Sequence, residues 1–352
     1  MPMKVIQAQF HERPLTLIKF NQDGDLMVSC AKDGQAVCLR TENCELMGTY
    51  EPKDGSSFGA IYAIDITKDS QHVVIAGADG RLIFFKITGE QVQDGVLNHG
   101  GILMYVEFNQ KPGAQNMVVT CNNKFKSQSE GAIPNRIMVW QWQKASGAVE
   151  MKRLLSIDTE LQAKASKVKW GPYDETLISI FEEGHLIIWD STNGRKLHTC
   201  DAHTMPITGI NFDRDRMLMI TCSKDTTAKL WALDEGEPEL IKTYKTDRPL
   251  NDAAIYPLVG VGGETEPKYH VLLGGGQDAK DVTTTAASSG KFEASIWHMI
   301  YEEEIGQVKG HFSPINTVAW FPDGRGFATG AEEGIVRVVH LDNDYFTKKP
   351  FE

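Results

Sequence analysis

The sequence predicts an all-β fold, a β-propeller of seven four-stranded blades closed by its own N-terminal strand. Three observations predict it. A short apolar pattern recurs seven times, its spacing matches one blade per repeat, and the one strand missing at the C-terminal end has a counterpart at the N-terminus. The pattern is clearest as "PITGINFD" (206–213), and it returns as "PLTLIKFN" (14–21), "AIYAIDIT" (60–67), "PLNDAAIY" (249–256) and "PINTVAWF" (314–321). Weaker copies are "LMYVEFN" (103–109) and "ASKVKWG" (165–171). The last apolar residues of the seven copies are Phe20, Ile66, Phe108, Trp170, Phe212, Ile255 and Trp320, separated by 46, 42, 62, 42, 43 and 65 residues. Four gaps fit the ~40–45 residue period of a four-stranded blade, and the other two fit one period plus about 20 residues.

Within each repeat a second strand follows, such as "LMVSCA", "HVVIAGA" or "MLMITCS". A polar turn comes next ("KDG", "EEG", "KDTT"), of the kind that closes a tight hairpin. Third strands such as "LIFFK", "LIIWD" and "AKLWA" carry apolar residues on both faces, as sheets stacked between neighbours require. Fourth strands are "CELMGTY", "EQVQDGVL", "AVEMKRLLSI", "RKLHTC", "PELIKTY" and "EEEIGQVKG". After the seventh third strand only "DNDYFTKKPFE" remains, so "KVIQAQ" (4–9) is expected to supply the missing strand and remove an open edge. One domain is expected over residues 1–352, with long hairpin insertions near 122–136 and 277–291.

Composition narrows the function classes. The chain has 352 residues, 41% apolar and 24% charged, and a formal net charge of −11. An acidic balance argues against nucleic-acid binding as the main role. The N-terminal "MPMKVIQAQF" reads as no signal sequence, and no run approaches the ~20 apolar residues of a membrane span. Six cysteines without a CxxC pair read as small core hydrophobes in a reducing setting, and the expected location is the cytoplasm. No HxxxH or HExxH spacing offers a metal site, and no convergent acid/base cluster is evident, so neither cofactor, metal nor small-molecule substrate is expected. The stretch "LGGGQDAKDVTTTAASSGKFEAS" (273–295) has the glycines and Gly-Lys pair of a phosphate loop. A strand rather than a helix follows Lys291, so it reads instead as a long loop within a hairpin.

With these features the chain resembles the WD-repeat family, and the fold this implies is a seven-bladed WD40 propeller. That family ties each blade with a tetrad: a His before the first strand, Ser or Thr in the second, Asp in the turn and Trp in the third. Repeat five matches as His203, Thr221, Asp225 and Trp231. Repeat seven keeps His311, Thr329 and Glu333, repeat four keeps Trp189 with Glu183 at the turn, and repeat one has His11 and Asp33 with Leu39 for the Trp. The other repeats read as more degenerate. A hydrolytic triad of His203, Thr221 and Asp225 is the competing reading, and the order and repetition of these residues favour the structural one.

More specifically, "LGGGQDAKDVTTT", "GKFEA", "EEEIGQVKGHFSPINTVA", "HERPLTLIKFNQDGDL" (11–26), "WGP" and "SKDTTAKL" (223–230) resemble the WD-repeat i subunits of eukaryotic translation initiation factor three. The similarity spans the chain in outline and is most specific over 272–316, while "SSFGAIYAI" and "NNKFKSQSEGAIPNR" (122–136) depart from it. The resemblance implies a non-catalytic scaffold. Its partners would be the C-terminal segment of the b subunit, the nearby g subunit, and the small ribosomal subunit during scanning. It places the contact around blades five and six, where the matching candidates are Asp225, Thr226, Lys229, Arg248, Asp278 and Lys280. The alternative is a generic WD-repeat adaptor in signalling or ubiquitin transfer.

Overall fold

Every one of the seven recurring apolar residues ends the innermost strand of its own blade in a computed structural model of the chain. These strands are Leu15–Phe20, Ile61–Ile66, Ile102–Phe108, Ala165–Trp170, Ile207–Phe212, Leu250–Ile255 and Ile315–Trp320. The structure describes residues 3–110, 116–123, 135–145, 148–159, 164–234, 237–258, 268–277 and 292–347. Seven antiparallel sheets radiate from the inner strands, which makes the molecule a seven-bladed WD40-type propeller. Second strands such as His72–Gly77, His270–Gly275 and Gly326–Ala331 are buried along their whole length, because a neighbouring blade covers each face. The outermost strands, Leu46–Thr49 and Lys196–Asp201 among them, are largely exposed.

The N-terminal strand Met3–Gln9 is the outermost strand of blade seven. It pairs antiparallel with Ile335–Leu341 in a register running from Met3 opposite Leu341 to Gln9 opposite Ile335. Blade seven also reaches blade one through its inner strand: Asn316 Nδ2 donates to the Leu15 carbonyl at 3.1 Å, and the Ile18 N–H donates to Thr317 Oγ1 at 3.3 Å.

All seven inner strands carry a β-bulge one residue after their start, or two in blade three, at Thr16, Tyr62, Met104, Ser166, Thr208, Asn251 and Asn316. A bulged residue is excluded from the ladder and re-aims its side chain. Five of the seven are Ser, Thr or Asn, and each donates to the backbone carbonyl that opens the next inner strand. The five bonds are Thr16 to Ile61 (2.7 Å), Ser166 to Ile207 (3.2 Å), Thr208 to Leu250 (2.8 Å), Asn251 to Ile315 (2.9 Å) and Asn316 to Leu15.

The interruptions at Tyr62 and Met104 fall on the blades where the sequence departs most from the family pattern, and other contacts join those blades. The long hairpin Arg136–Ala145/Ala148–Asp158 of blade three reaches the outer strand of blade two, where Ala148 pairs parallel with Gln93 and merges the two sheets. Trp142 of that hairpin packs between Phe84, Phe108 and His72, with ring centroids 5.6–5.7 Å apart. From blade three to blade four, Asn123 Nδ2 donates to the Ala165 carbonyl at 3.3 Å. Five of the six cysteines are buried and all six are free.

Candidate functional site

The structure brings His203, Thr221, Asp225 and Trp231 together as one hydrogen-bonded chain. Trp231 Nε1–H donates to Thr221 Oγ1 at 2.9 Å, which leaves the Thr221 hydroxyl proton to His203 Nε2, also 2.9 Å away. His203 Nδ1–H then donates to Asp225 Oδ2 at 3.0 Å. The same carboxylate accepts the Thr204 N–H at 3.1 Å and, through Oδ1, the Thr227 N–H and hydroxyl at 3.0 and 2.6 Å. These bonds satisfy a buried polar group on every side, and they lock the second-to-third-strand turn against the loop entering the blade.

The same arrangement recurs with different completeness. In blade seven, His311 bridges Glu333 and Thr329 at 2.8 Å each, and Val339 lies in the third strand where blade five has its Trp. In blade one, His11 reaches Ser29 at 2.9 Å and Asp33 at 3.4 Å. Blade four keeps only the lower half, with Trp189 Nε1–H donating to Ser179 at 2.8 Å. Blade three corrects the reading of a degenerate repeat: His99 and Trp140 both meet Thr120 Oγ1 at 3.2 Å. The insertion between second and third strands had separated Thr120 from Trp140 by 20 residues and hidden the match. Blade two dispenses with the network and buries Phe58 against Phe85, with centroids 6.3 Å apart.

Burial dominates the titration of these histidines. It holds His99 down at about 4 and His270, which also faces His298 and Lys268, at about 3. His11, His203 and His311 also lie below the ordinary imidazole value, because burial outweighs their acidic partners Asp33, Asp225 and Glu333. A lowered folded-state pKa means that the unfolded chain binds the proton first. Stability is therefore expected to fall as pH drops from 6.5 through about 4, with His99 alone contributing a slope of about 1.4 kcal/mol per pH unit. Urea unfolding across this range checks it. In His99→Phe, which copies the solution used at Phe58, the pH slope should flatten.

The remaining sequence candidates cluster at blades five and six. Thr226 sits at the tip of the Asp225 turn, half-buried, with a left-handed φ of +68°. Thr246 N–H donates to the Thr226 carbonyl at 2.9 Å, and Thr246 Oγ1 lies 2.8 Å from the carbonyls of both Thr226 and Arg248. That one residue therefore holds the turn of blade five beside the loop entering blade six. Arg248 is largely buried and ion-paired with Glu293 at 2.6 Å and Asp247 at 3.0 Å, so it is not the solvated surface charge that its position in a loop suggests. It lines a cavity of about 240 Å³ with Lys245, Thr246, Glu293, Trp297 and Glu304. Lys229 lies in the third strand, its ammonium donating to the Ala202 carbonyl and standing 6.0 Å from the Trp231 ring centroid. Asp278 and Lys280 lie outside the described residues.

A second group was not anticipated from the sequence, and it overturns the expectation that no acidic and basic side chains converge. The residue preceding each of the first five recurring apolar positions projects into the central channel: Lys19, Asp65, Glu107, Lys169 and Asn211. Lys19 Nζ is 3.0 Å from Asp65 and 3.8 Å from Glu107. Lys169 is 4.0 Å from Glu107 and donates to Asn211 Oδ1 at 2.6 Å. Arg216, in the turn below blade five, has a φ of +59° at a position where blades one and seven place Gly24 and Gly324. From there it reaches Glu107 Oε1 at 3.1 Å and also the Trp170 carbonyl. Glu107 and Asp65 each accept a backbone N–H from the next blade, of Trp170 at 2.9 Å and Phe108 at 2.7 Å. Burial alone would raise the Glu107 carboxyl, but Arg216, Lys169 and Lys19 together hold it at about 2. For Asp65 burial prevails and raises it, while burial brings Lys169 down to about 7 against the pull of Glu107. The legible signal was a charged residue alternating with apolar ones in "LIKF", "AIDI", "VEF" and "VKW". Among the described residues, no group of three or more His, Cys, Asp or Glu is placed to hold a metal ion.

Comparison with known proteins adds the family to this architecture. The family model described as EIF3I matches residues 3–350. The chain is 35% identical to eukaryotic translation initiation factor 3 subunit I of Bombyx mori over 352 aligned positions, covering 98% of this chain and 97% of the relative. It is 34% identical to the subunit I of Drosophila melanogaster, covering 98% of both chains. A closed seven-bladed ring matched by the family model from its closing strand to residue 350 belongs to the eIF3 subunit I family.

Proposed function

We propose that the protein is a non-catalytic scaffold subunit of translation initiation factor three in the cytoplasm. It binds the C-terminal segment of the b subunit on the turn side of blades five and six, beside the g subunit, and supports assembly and scanning on the small ribosomal subunit. The observation that carries this reading is a family match along the whole ring, whose relatives are named as that factor's subunit I. The groove beside Arg248 suits it physically. Its walls are fixed by Thr246, the Asp225 turn and the Arg248–Glu293 pair, so a docking segment orders itself against a surface that loses little freedom.

The Asp225 carboxylate is fully engaged within its own blade, so it acts by holding the turn in place. Thr226, Lys229 and Arg248 form the contact, with Arg248 at its centre. Asp278 and Lys280 are the further candidates for it.

Affinity purification from native extract tests this. The variant Thr226→Asp plus Lys229→Glu, which leaves the buried Arg248–Glu293 pair in place, is expected to lose the b subunit, with the melting transition of the propeller retained. Full recovery of the b subunit by that folded variant rejects the contact, and a wild-type sample without any initiation-factor subunit rejects the function. Substituting Asp225 is a poor probe, because it breaks the blade-five network.

A further inference from the structure

The channel polar arc stops at blade five. At the level occupied by Lys19, Asp65, Glu107, Lys169 and Asn211, blades six and seven carry only Ala254 and Ala319. The small side chains leave open one flank of a channel whose volume, including its mouth, is about 1780 Å³. Two residues nearer the opposite mouth, Lys167 of blade four and Asp252 of blade six, also face the channel, 3.7 Å apart.

Charge within this paired group does not balance. Lys19, Lys167, Lys169 and Arg216 face Asp65, Glu107 and Asp252. Asp65 serves Lys19 and the Phe108 N–H, while Asp252 serves Lys167 and the Val318 N–H at 3.0 Å. Glu107 is shared by Arg216, Lys19 and Lys169, with Lys169 the most distant of the three. Among the described residues Lys169 therefore lacks a carboxylate of its own. Its side chain is only 7% exposed, and its close partner is the neutral Asn211 amide. A buried ammonium without a matching anion is costly, which is why burial brings Lys169 down to about 7, and an anion beside it favours the charged form again.

We propose that the central channel binds a small multivalent oxyanion of the phosphate class, seated in the gap left by Ala254 and Ala319 and held by Lys169, Lys167 and Lys19. The overall charge of −11 repels anions, so such binding has to come from the channel groups and not from the general field of the molecule. Tyr105 braces the site from below: the Lys19 and Lys169 ammonium groups each stand 5.9 Å from its ring centroid.

Inorganic pyrophosphate, titrated by calorimetry at constant ionic strength with sodium chloride as the control salt, tests the proposal. Wild type is expected to show saturable binding of one pyrophosphate per chain. Lys169→Met removes the surplus charge at similar volume, and Ala319→Leu fills the gap while leaving every charge in place. Lys169→Met is expected to weaken binding at least about tenfold, as loss of one buried charge partner does, and Ala319→Leu is expected to weaken it at least as much by occupying the seat. No saturable binding in wild type, or unchanged affinity in either folded variant, overturns the site. A readout that needs no variant is acylation of Lys169 by a small amine-reactive ester, followed by peptide mass spectrometry. Pyrophosphate should slow that acylation selectively, and an unaltered rate counts against the proposal.

Discussion

Replacing Glu107 with glutamine is expected to lower the unfolding free energy by about 3–5 kcal/mol, the usual cost of breaking a buried ion pair from one side. Glutamine keeps an oxygen for the Trp170 N–H but withdraws the one carboxylate shared by Arg216, Lys169 and Lys19. The side chain is 2% exposed, so water does not replace the lost charge. Arg216 also holds its left-handed turn through this contact, and without it only the bond to the Trp170 carbonyl and the Phe212 ring remain to anchor the guanidinium. Urea unfolding measures the loss. Adding Lys169→Met in the same chain should restore part of it, because the second substitution removes an ammonium that the first left unpaired. A loss under about 1 kcal/mol would mean that the channel charges behave as a solvated surface pair. Because Glu107 is held at about 2, its contribution is complete above the ordinary carboxylate range and is lost only as pH falls towards 2.

Deleting residues 1–9 is expected to abolish cooperative folding at ordinary temperature. The strand Met3–Gln9 matches seven residues of blade seven, and its ladder bonds contribute about 1 kcal/mol each, a sum comparable to the whole stability of a domain. Deletion also strips the cover from Val336 and Val338, against which Ile6 and Ala8 pack, and exposes Ile335–Leu341 as a bare edge. Calorimetry and light scattering check both consequences: loss of a single sharp transition, and association through the new edge. A deletion variant that stays monomeric and melts as wild type would show that the ring closes without its first strand.

Blade number, strand order and ring closure were legible because each is written in short, local patterns. An inner strand must end on an apolar residue that packs between blades, so Phe20 through Trp320 recur at blade spacing. The blade-five tetrad was legible for a related reason, since His203, Thr221, Asp225 and Trp231 lie at fixed offsets within one hairpin unit. Blade three shows the limit of such reading. Its three tetrad members use the same geometry, but an insertion changes the offset while the sheet keeps the contact.

The sequence by itself determined what each repeat must become, because strand, turn and tetrad are made from residues close together in the chain. Only the tertiary structure decided which residues meet across the ring. Lys19, Glu107, Lys169 and Arg216 come from four blades, separated by as many as 197 positions, and each alone reads as a charged residue on a strand or turn. Closing seven sheets into a circle turns their alternating positions inward and removes them from bulk water. In that space a shared carboxylate governs stability, and two alanines become a gap.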